Sequence, residues 1–249
     1  MEIEYQALLD FLACPALYLF KHQRKDKVES YMGRKVIDDI LTNTIYFFYN
    51  TILEEERIPS ETELKNFYGT QFAEKEDLLK FKTSQQKKRY TQKYPGEFIK
   101  KFYIKHRDNP GIPIAVNEKF DVELENHKIK NCNLQLVKMV DKKTHIMYFS
   151  NASHNPDTFR KNNDLKFSLM SYGFRNIFKQ KEDKFIYNSV RKGKFLEIYR
   201  SNWQFKKMVA TLDNIAEIID QELYWQNINY LCKACAYSDI CYNWRGRWF

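Results

Sequence analysis

Five cysteines carry the most legible chemistry in this chain. Cys232, Cys235 and Cys241 fall within ten residues in the spacing C-x2-C-x5-C. A fourth, Cys14, stands in Phe11-Leu-Ala-Cys14-Pro15, more than two hundred residues earlier. Four thiolates suit either a structural zinc or an iron–sulphur cluster. The three clustered thiols nearly complete such a site, and Cys14 can close it only if the two ends of the chain meet. The competing reading is of ordinary small buried residues. That reading is taken for Cys132, which lies in an expected strand. The opening stretch is acidic before it is apolar, and Asp10 interrupts the apolar run, so it lacks the pattern of a secretion signal. A reducing, cytoplasmic setting is therefore expected, where metal ligation is favoured over disulfides. No apolar run reaches the ~18 residues of a membrane span, and no membrane role is expected.

A second chemistry lies in the charge. Lys and Arg outnumber Asp and Glu by 41 to 32, for a formal net charge of +9 and a pI near 9.1. That balance favours a polyanionic partner, nucleic acid above all, against a merely diffuse surface charge. The cations concentrate at Lys80, Lys82, Lys87, Lys88, Arg89 and Lys93, with Phe81 and Tyr90 interleaved, and at Lys100, Lys101, Lys105 and Arg107, around Phe102 and Tyr103. Basic residues alternating with aromatics suit phosphate contacts plus base stacking. The nucleic-acid contacts are assigned to Lys87, Lys88, Arg89, Lys93, Lys100 and Lys101. The alternative is a solvated helix face whose aromatics turn to the core.

Other candidate groups are weaker. Asp121, Glu123 and Glu125 alternate and so share one face of a strand, either as a metal site or as the solvated side of a sheet edge. His22, His106, His127 and His145 show no ligand spacing, while His154 stands in a polar loop. No Gly-rich phosphate loop is present, and no serine or cysteine is paired with a base.

The elements that must position these groups follow from periodicity. Helices are expected over 4–22, with a kink at Pro15, over 34–55, and through a charged stretch over 60–107 that opens on the capping box Ser60-Glu-Thr-Glu63. Strands are expected over 112–124, 129–140 and 145–150 as an antiparallel meander, then a polar loop over 151–163. A helix over 164–179, strands over 184–190 and 195–199, and a helix over 201–222 lead to the cysteine-rich segment 230–249. With 43% hydrophobic residues, 17 Tyr and 19 Phe, the chain can bury a sizeable core. With few Gly and Pro, residues 1–249 read as one α/β (α+β) domain.

The cysteine-proline in a first helix, the terminal C-x2-C-x5-C and the strand meander followed by a helix resemble the iron–sulphur branch of the PD-(D/E)XK nucleases. That branch includes RecB-type nuclease domains and the CRISPR adaptation nuclease. The resemblance covers nearly the whole chain, and the cysteine frame is its most specific part; Tyr237 and Ile240 fit the texture of the family's last motif. It implies a central mixed sheet flanked by helices, with a helical insertion over about 57–107. It also implies a [4Fe-4S] cluster on Cys14, Cys232, Cys235 and Cys241 that staples the chain ends, with zinc as the alternative.

The family's catalytic positions are replaced. Gly33 is followed by Ile37 where G-x-x-x-H is expected. The strand from Ile129 to Val137 has no Asp or Glu. Tyr148 and Ser150 stand where the carboxylate and lysine of [DE]-x-K belong, and Lys166 and Met170 replace the Gln and Tyr of Q-x-x-x-Y. Hydrolysis in this family needs carboxylates to hold Mg2+ or Mn2+, which activates water and neutralises charge on the phosphate. The expectation is an inactive nuclease-like, DNA-binding or structural subunit, working with protein partners in a replication, recombination or repair complex, a viral one among the possibilities. The alternatives are an active exonuclease using Asp121 or Glu123, and a protein-interaction module docking through Trp244–Phe249.

Overall fold

The computed structural model describes residues 1–28, 33–81, 83–152, 157–228, 232 and 235–244. Six strands form one mixed sheet: β1 (Glu2–Glu4), β2 (Ile112–Leu124), β3 (His127–Val140), β4 (Lys143–Ser150), β5 (Lys184–Ser189) and β6 (Lys194–Ile198). β3 is the hub. It pairs antiparallel with β2 and with β4, and parallel with β1 at residues 128–130. The β3–β4 turn has two residues, Asp141 and Lys142, both at positive φ, the geometry that follows strand twist. β4 then pairs parallel with β5, and β5 antiparallel with β6.

The helices are α1 (Tyr5–Ala13), α2 (Pro15–Tyr18), α3 (Gly33–Glu55), α4 (Glu61–Glu74), α5 (Ser84–Lys88), α6 (Tyr94–His106), α7 (Thr158–Asn162), α8 (Leu165–Phe178), α9 (Asn202–Asp220) and α10 (Ser238–Asn243). The expected first helix, 4–22, is instead a short strand, two helices and a π turn at Leu19–Gln23. Cys14 is extended, and Pro15, which has no N–H and would clash with the preceding turn, restarts the helix at its first position. Asp10, the charge in the apolar run, is buried but matched: Lys21 Nζ lies 2.6 Å and His22 Nε2 2.8 Å away, tying the π turn back to α1.

The charged stretch 60–107 is likewise not one helix. Ser60 and Glu63 form the expected capping box, but a 3-10 turn at Glu76–Leu78 and a π turn at Arg89–Lys93 divide the segment. The connection around Lys80 crosses the start of α3, where the Gly33 N–H donates to Lys80 O at 2.9 Å. A Cβ on Gly33 would lie 2.8 Å from that oxygen, so the close crossing requires glycine. The polar loop expected over 151–163 holds α7, capped by Asp157.

Three cores result. Leu136, Met147 and Phe149 meet α3, α4 and α6. Leu134, Val137, Ile146, Phe185 and Tyr187 meet Phe167, Met170 and Phe174 of α8. Ile129 and Cys132 meet α1 and α9 through Leu8, Phe11, Met208 and Leu212. Among the described residues no helix is long and apolar enough to cross a membrane.

His106 closes the first core. Its Nδ1 lies 2.9 Å from the Tyr49 hydroxyl and its Nε2 lies 3.0 Å from the Asn188 amide nitrogen. Burial, with the Lys138 and Lys105 charges, lowers its pKa from 6.5 to about 3. The unfolded chain therefore takes up this proton first. The stabilisation from the neutral ring is complete above pH 6.5 and is lost as pH falls from 6.5 toward about 3. The slope is about 1.4 kcal/mol per pH unit for one proton. Urea unfolding at several pH values should show a flatter acid limb for His106→Gln than for the wild type, although the variant is less stable at neutral pH. Parallel limbs would mean that His106 is not held neutral.

Candidate functional site

The chain ends meet. The Ala16 N–H donates to Trp225 O at 3.0 Å, and the Asn227 amide donates to Ala13 O at 2.9 Å. Phe20, buried at 1% exposure, packs on Tyr237 and edge-on to Trp244, while Phe11 packs edge-on to Trp225. These contacts bring Cys14, at the α1–α2 break, beside the C-terminal thiols. The Asn227 backbone N–H points at Cys14 Sγ, 3.4 Å away, and Cys232 Sγ lies 3.8 Å from Asn227 O. The Cys235 N–H donates to Cys232 O, and Cys241 lies in α10. The Cys241 thiol is pushed up by burial and then by the charges of Cys14, Cys235 and Cys232, so all four sulphurs share one electrostatic neighbourhood. Among the described residues, no three His, Cys, Asp or Glu side chains are already drawn tightly enough to hold a metal. The donor set fits a thiolate-bound group in type: four sulphurs from both chain ends, and a backbone N–H aimed at one of them. The sulphurs would still have to close to ligand distance. Cys132 stands apart, fully buried in the sheet, its thiol pushed up to about 12 by burial.

The positions Tyr148, Ser150 and Lys166 are brought together. Alternation along β4 turns Met147 and Phe149 toward α3 and α6, and Tyr148 toward α8. Lys166 Nζ donates to the Tyr148 hydroxyl at 3.1 Å and lies 4.2 Å above its ring. Ser150 Oγ accepts the Ala152 N–H at 3.2 Å, and the Tyr187 ring stacks on Tyr148 at 5.7 Å. Ile37 does not join them; it is fully buried in the α3–α4–α6 core. The polar side chains of β3 are committed elsewhere. Gln135 Oε1 accepts the Phe149 N–H at 2.6 Å, and Asn133 donates to Asn117 at 3.1 Å. Lys161 and Tyr187 complete the cluster and were not legible in sequence, because α7 is too short to impose a helical period and Tyr187 reads as an ordinary strand aromatic.

Asp121 and Glu123 are exposed on β2 and share Lys128, at 3.7 and 2.7 Å. Asp121 also accepts the Asn131 N–H at a bulge in the β2–β3 ladder. This is an ion-paired sheet edge rather than a convergent metal site. His22 and His127 pair with Asp10 and Asp213, and His145 is buried. His154, Lys82 and residues 245–249 lie outside the described residues.

Lys87, Lys88, Arg89, Lys93, Lys100 and Lys101 are all exposed, and among the described residues none has a carboxylate within 4.0 Å. The interleaved aromatics do not accompany them outward. Phe102 is buried in the first core with Tyr94 and Phe98, while Phe81 and Tyr90 are half-buried and stacked on each other. The expected stacking surface is thus corrected to exposed cations over an inward aromatic layer, because the rings gain more by burial than by exposure.

Phe20→Ala should cost about 3–5 kcal/mol, as for other buried Phe truncations, and loosen the C-terminal segment. Thiol labelling of Cys235 and Cys241 should quicken while Cys132 stays protected. Unchanged labelling would mean that the clasp does not depend on this ring. No protein-family model matches the chain, and no curated protein matches it in sequence.

Proposed function

We propose that the chain is a non-hydrolytic, nucleic-acid-binding relative of the iron–sulphur PD-(D/E)XK nucleases, acting as a DNA-binding or structural subunit of a DNA-processing complex. One observation carries this reading. Where metal-assisted hydrolysis in this family needs a carboxylate and a lysine, Tyr148 and Ser150 stand instead, with the Lys166 ammonium 3.1 Å from the Tyr148 hydroxyl. A divalent cation placed there would meet a positive charge and neutral hydroxyls rather than hard anionic ligands. The strand order supports the same reading: a β2–β3–β4 meander followed by α8 and the parallel strand β5.

Cys14, Cys232, Cys235 and Cys241 are the residues that would hold the [4Fe-4S] cluster, or zinc in its place. Bound there, such a group supplies folding free energy rather than reactivity, since it joins segments more than two hundred residues apart. The chain's own residues prepare the site: Phe11 and Phe20 seat the C-terminal aromatics, and the Asn227 N–H faces a sulphur. The exposed cations of α5 and α6 offer phosphate contacts without base stacking, so their contribution is to affinity rather than sequence preference.

Binding of labelled oligonucleotides across a salt series tests the reading. Affinity should fall linearly in log–log form, and replacing Lys87, Lys88, Lys100 and Lys101 with Gln should flatten the slope by about 0.7–0.9 for each phosphate no longer neutralised. No strand cleavage should accompany binding in Mn2+. Cleavage abolished by Asp121→Ala or Glu123→Ala would overturn the non-hydrolytic assignment, and salt-independent binding, or none, would overturn the nucleic-acid one.

A further inference from the structure

Lys166 has been taken largely out of water without a carboxylate partner. Among the described residues none lies within 4.0 Å of its Nζ. Its surroundings are aromatic: the Tyr148 ring at 4.2 Å and the Phe167 ring at 4.7 Å, with its Nζ donating to the Tyr148 hydroxyl. Lys161 approaches from α7. Its Nζ lies 4.8 Å over Tyr187 and 5.7 Å over the same Phe167 ring. Two ammonium groups therefore crowd one aromatic layer, and Lys166 is among the causes that lower the Lys161 pKa, after burial. Asp164 is an acid whose charge acts on both lysines. Its Oδ1 accepts the Lys166 backbone N–H at 3.1 Å, and its Oδ2 is 3.9 Å from Lys161 Nζ, so it caps α8 and offsets one of the two charges.

The segment that carries Lys161 is rigidly held. The Arg200 guanidinium donates to the carbonyls of Lys161, Asn162, Asp164 and Tyr199, at 2.7–3.4 Å. A buried arginine used in this way fixes a backbone rather than a ligand. Lys161, Lys166, Tyr148 and Ser150 are all half-buried, so each keeps some contact with solvent. Two preorganised cations, one excess positive charge and two neighbouring hydroxyls make the arrangement of a phosphate receptor.

We propose that Lys161 and Lys166, with the Tyr148 and Ser150 hydroxyls, form a phosphate-binding pocket that receives one phosphate of a nucleic-acid strand. The choice of occupant rests on the proposed nucleic-acid function; the pocket does not. Phe159, within α7, and Tyr199, whose N–H donates to Asn162 Oδ1, are exposed at 77% and 63% and offer ring faces for the bases of such a strand. The site thus inverts the polarity of a metal-dependent nuclease, gripping directly with cations the phosphate that carboxylates would reach through a metal.

The test pairs two probes on the full chain, with circular dichroism as the check on folding. Inorganic phosphate, against chloride at equal ionic strength, should raise the melting temperature of the wild type. Fluorescence anisotropy should report binding of single-stranded oligonucleotides with and without a 5′-phosphate. Lys166→Gln and Lys161→Gln should each remove the phosphate stabilisation and weaken oligonucleotide binding about tenfold, and Lys166→Arg should retain both. Lys161 is the less enclosed of the two, so Lys161→Gln decides the matter if Lys166→Gln does not fold. Preference for the 5′-phosphorylated strand assigns a terminal phosphate, and equal affinity an internal phosphodiester. Phosphate stabilisation that depends on Lys166, without any oligonucleotide binding, keeps the pocket but makes free phosphate its ligand and removes the nucleic-acid function. Pocket variants that bind oligonucleotide and respond to phosphate like the wild type overturn the pocket and leave strand binding to α5 and α6.

Discussion

One of the three hydrophobic cores cannot close unless the beginning and the end of the chain lie side by side. Ile3, Leu8 and Phe11 supply one wall, Met208, Leu212, Ile215 and Tyr224 another, and the sheet contributes Ile129 and Cys132. Backbone bonds fix the approach from both sides: Lys128 N–H to Met1 O, and Ala16 N–H to Trp225 O. Closing so long a loop carries an entropy cost that grows only slowly with its length. Apolar burial across this core opposes that cost, and a group bound by four thiols would add to that burial by joining Cys14 to Cys232, Cys235 and Cys241.

The second constraint is electrostatic. An ammonium removed from water must be matched, or its proton is released. Burial works against the Lys166 charge, yet Tyr148 and Asp164, with Tyr187, hold its pKa above the ordinary value. Lys138 shows the contrary case. It is buried on the α6 side of the sheet with a carbonyl, Pro110 O, as its hydrogen-bond partner, and burial lowers its pKa to about 8. The contrast separates a lysine whose charge the fold maintains from one whose charge the fold merely tolerates.

How far the sequence discloses this arrangement depends on the range of the interactions involved. The β2–β3–β4 meander, α3, α8 and α9 are long and strongly periodic, and their bounds agree with the expected ones within a few residues. The approach of Cys14 to Cys232, Cys235 and Cys241 was legible because unusual residue types at unusual spacing demand a common neighbourhood. β1 was not, since three residues carry too little pattern and its pairing with β3 joins residues 126 positions apart. The direction of the rings beside the α5 and α6 lysines stayed open between stacking surface and core, because a basic helix with aromatics reads the same whichever way the rings turn. Tyr148, Ser150 and Lys166 were placed by the order of elements, but Lys161 enters only through α7 and the Arg200 contacts, which no local pattern announces.

The chain-end clasp and the tyrosine–lysine cluster are not independent features. β3 contributes Ile129 and Cys132 to the first, Leu134 and Val137 to the α8 core beneath the second, and Leu136 to the core under α6. A shift of this strand by one residue would exchange the faces of all of them at once. Tyr5, on the first turn of α1, makes the link direct. It is buried in the chain-end core, and its hydroxyl pKa is raised well above the usual value by burial and then by Tyr148, Cys132 and Asp164. The same N-terminal helix that carries Cys14 at its end thus carries, at its start, a hydroxyl in the field of the cluster. Whatever fixes the C-terminal thiols around Cys14 also fixes α1, and through Tyr5 and β3 it sets the position of the residues that face the Lys166 ammonium.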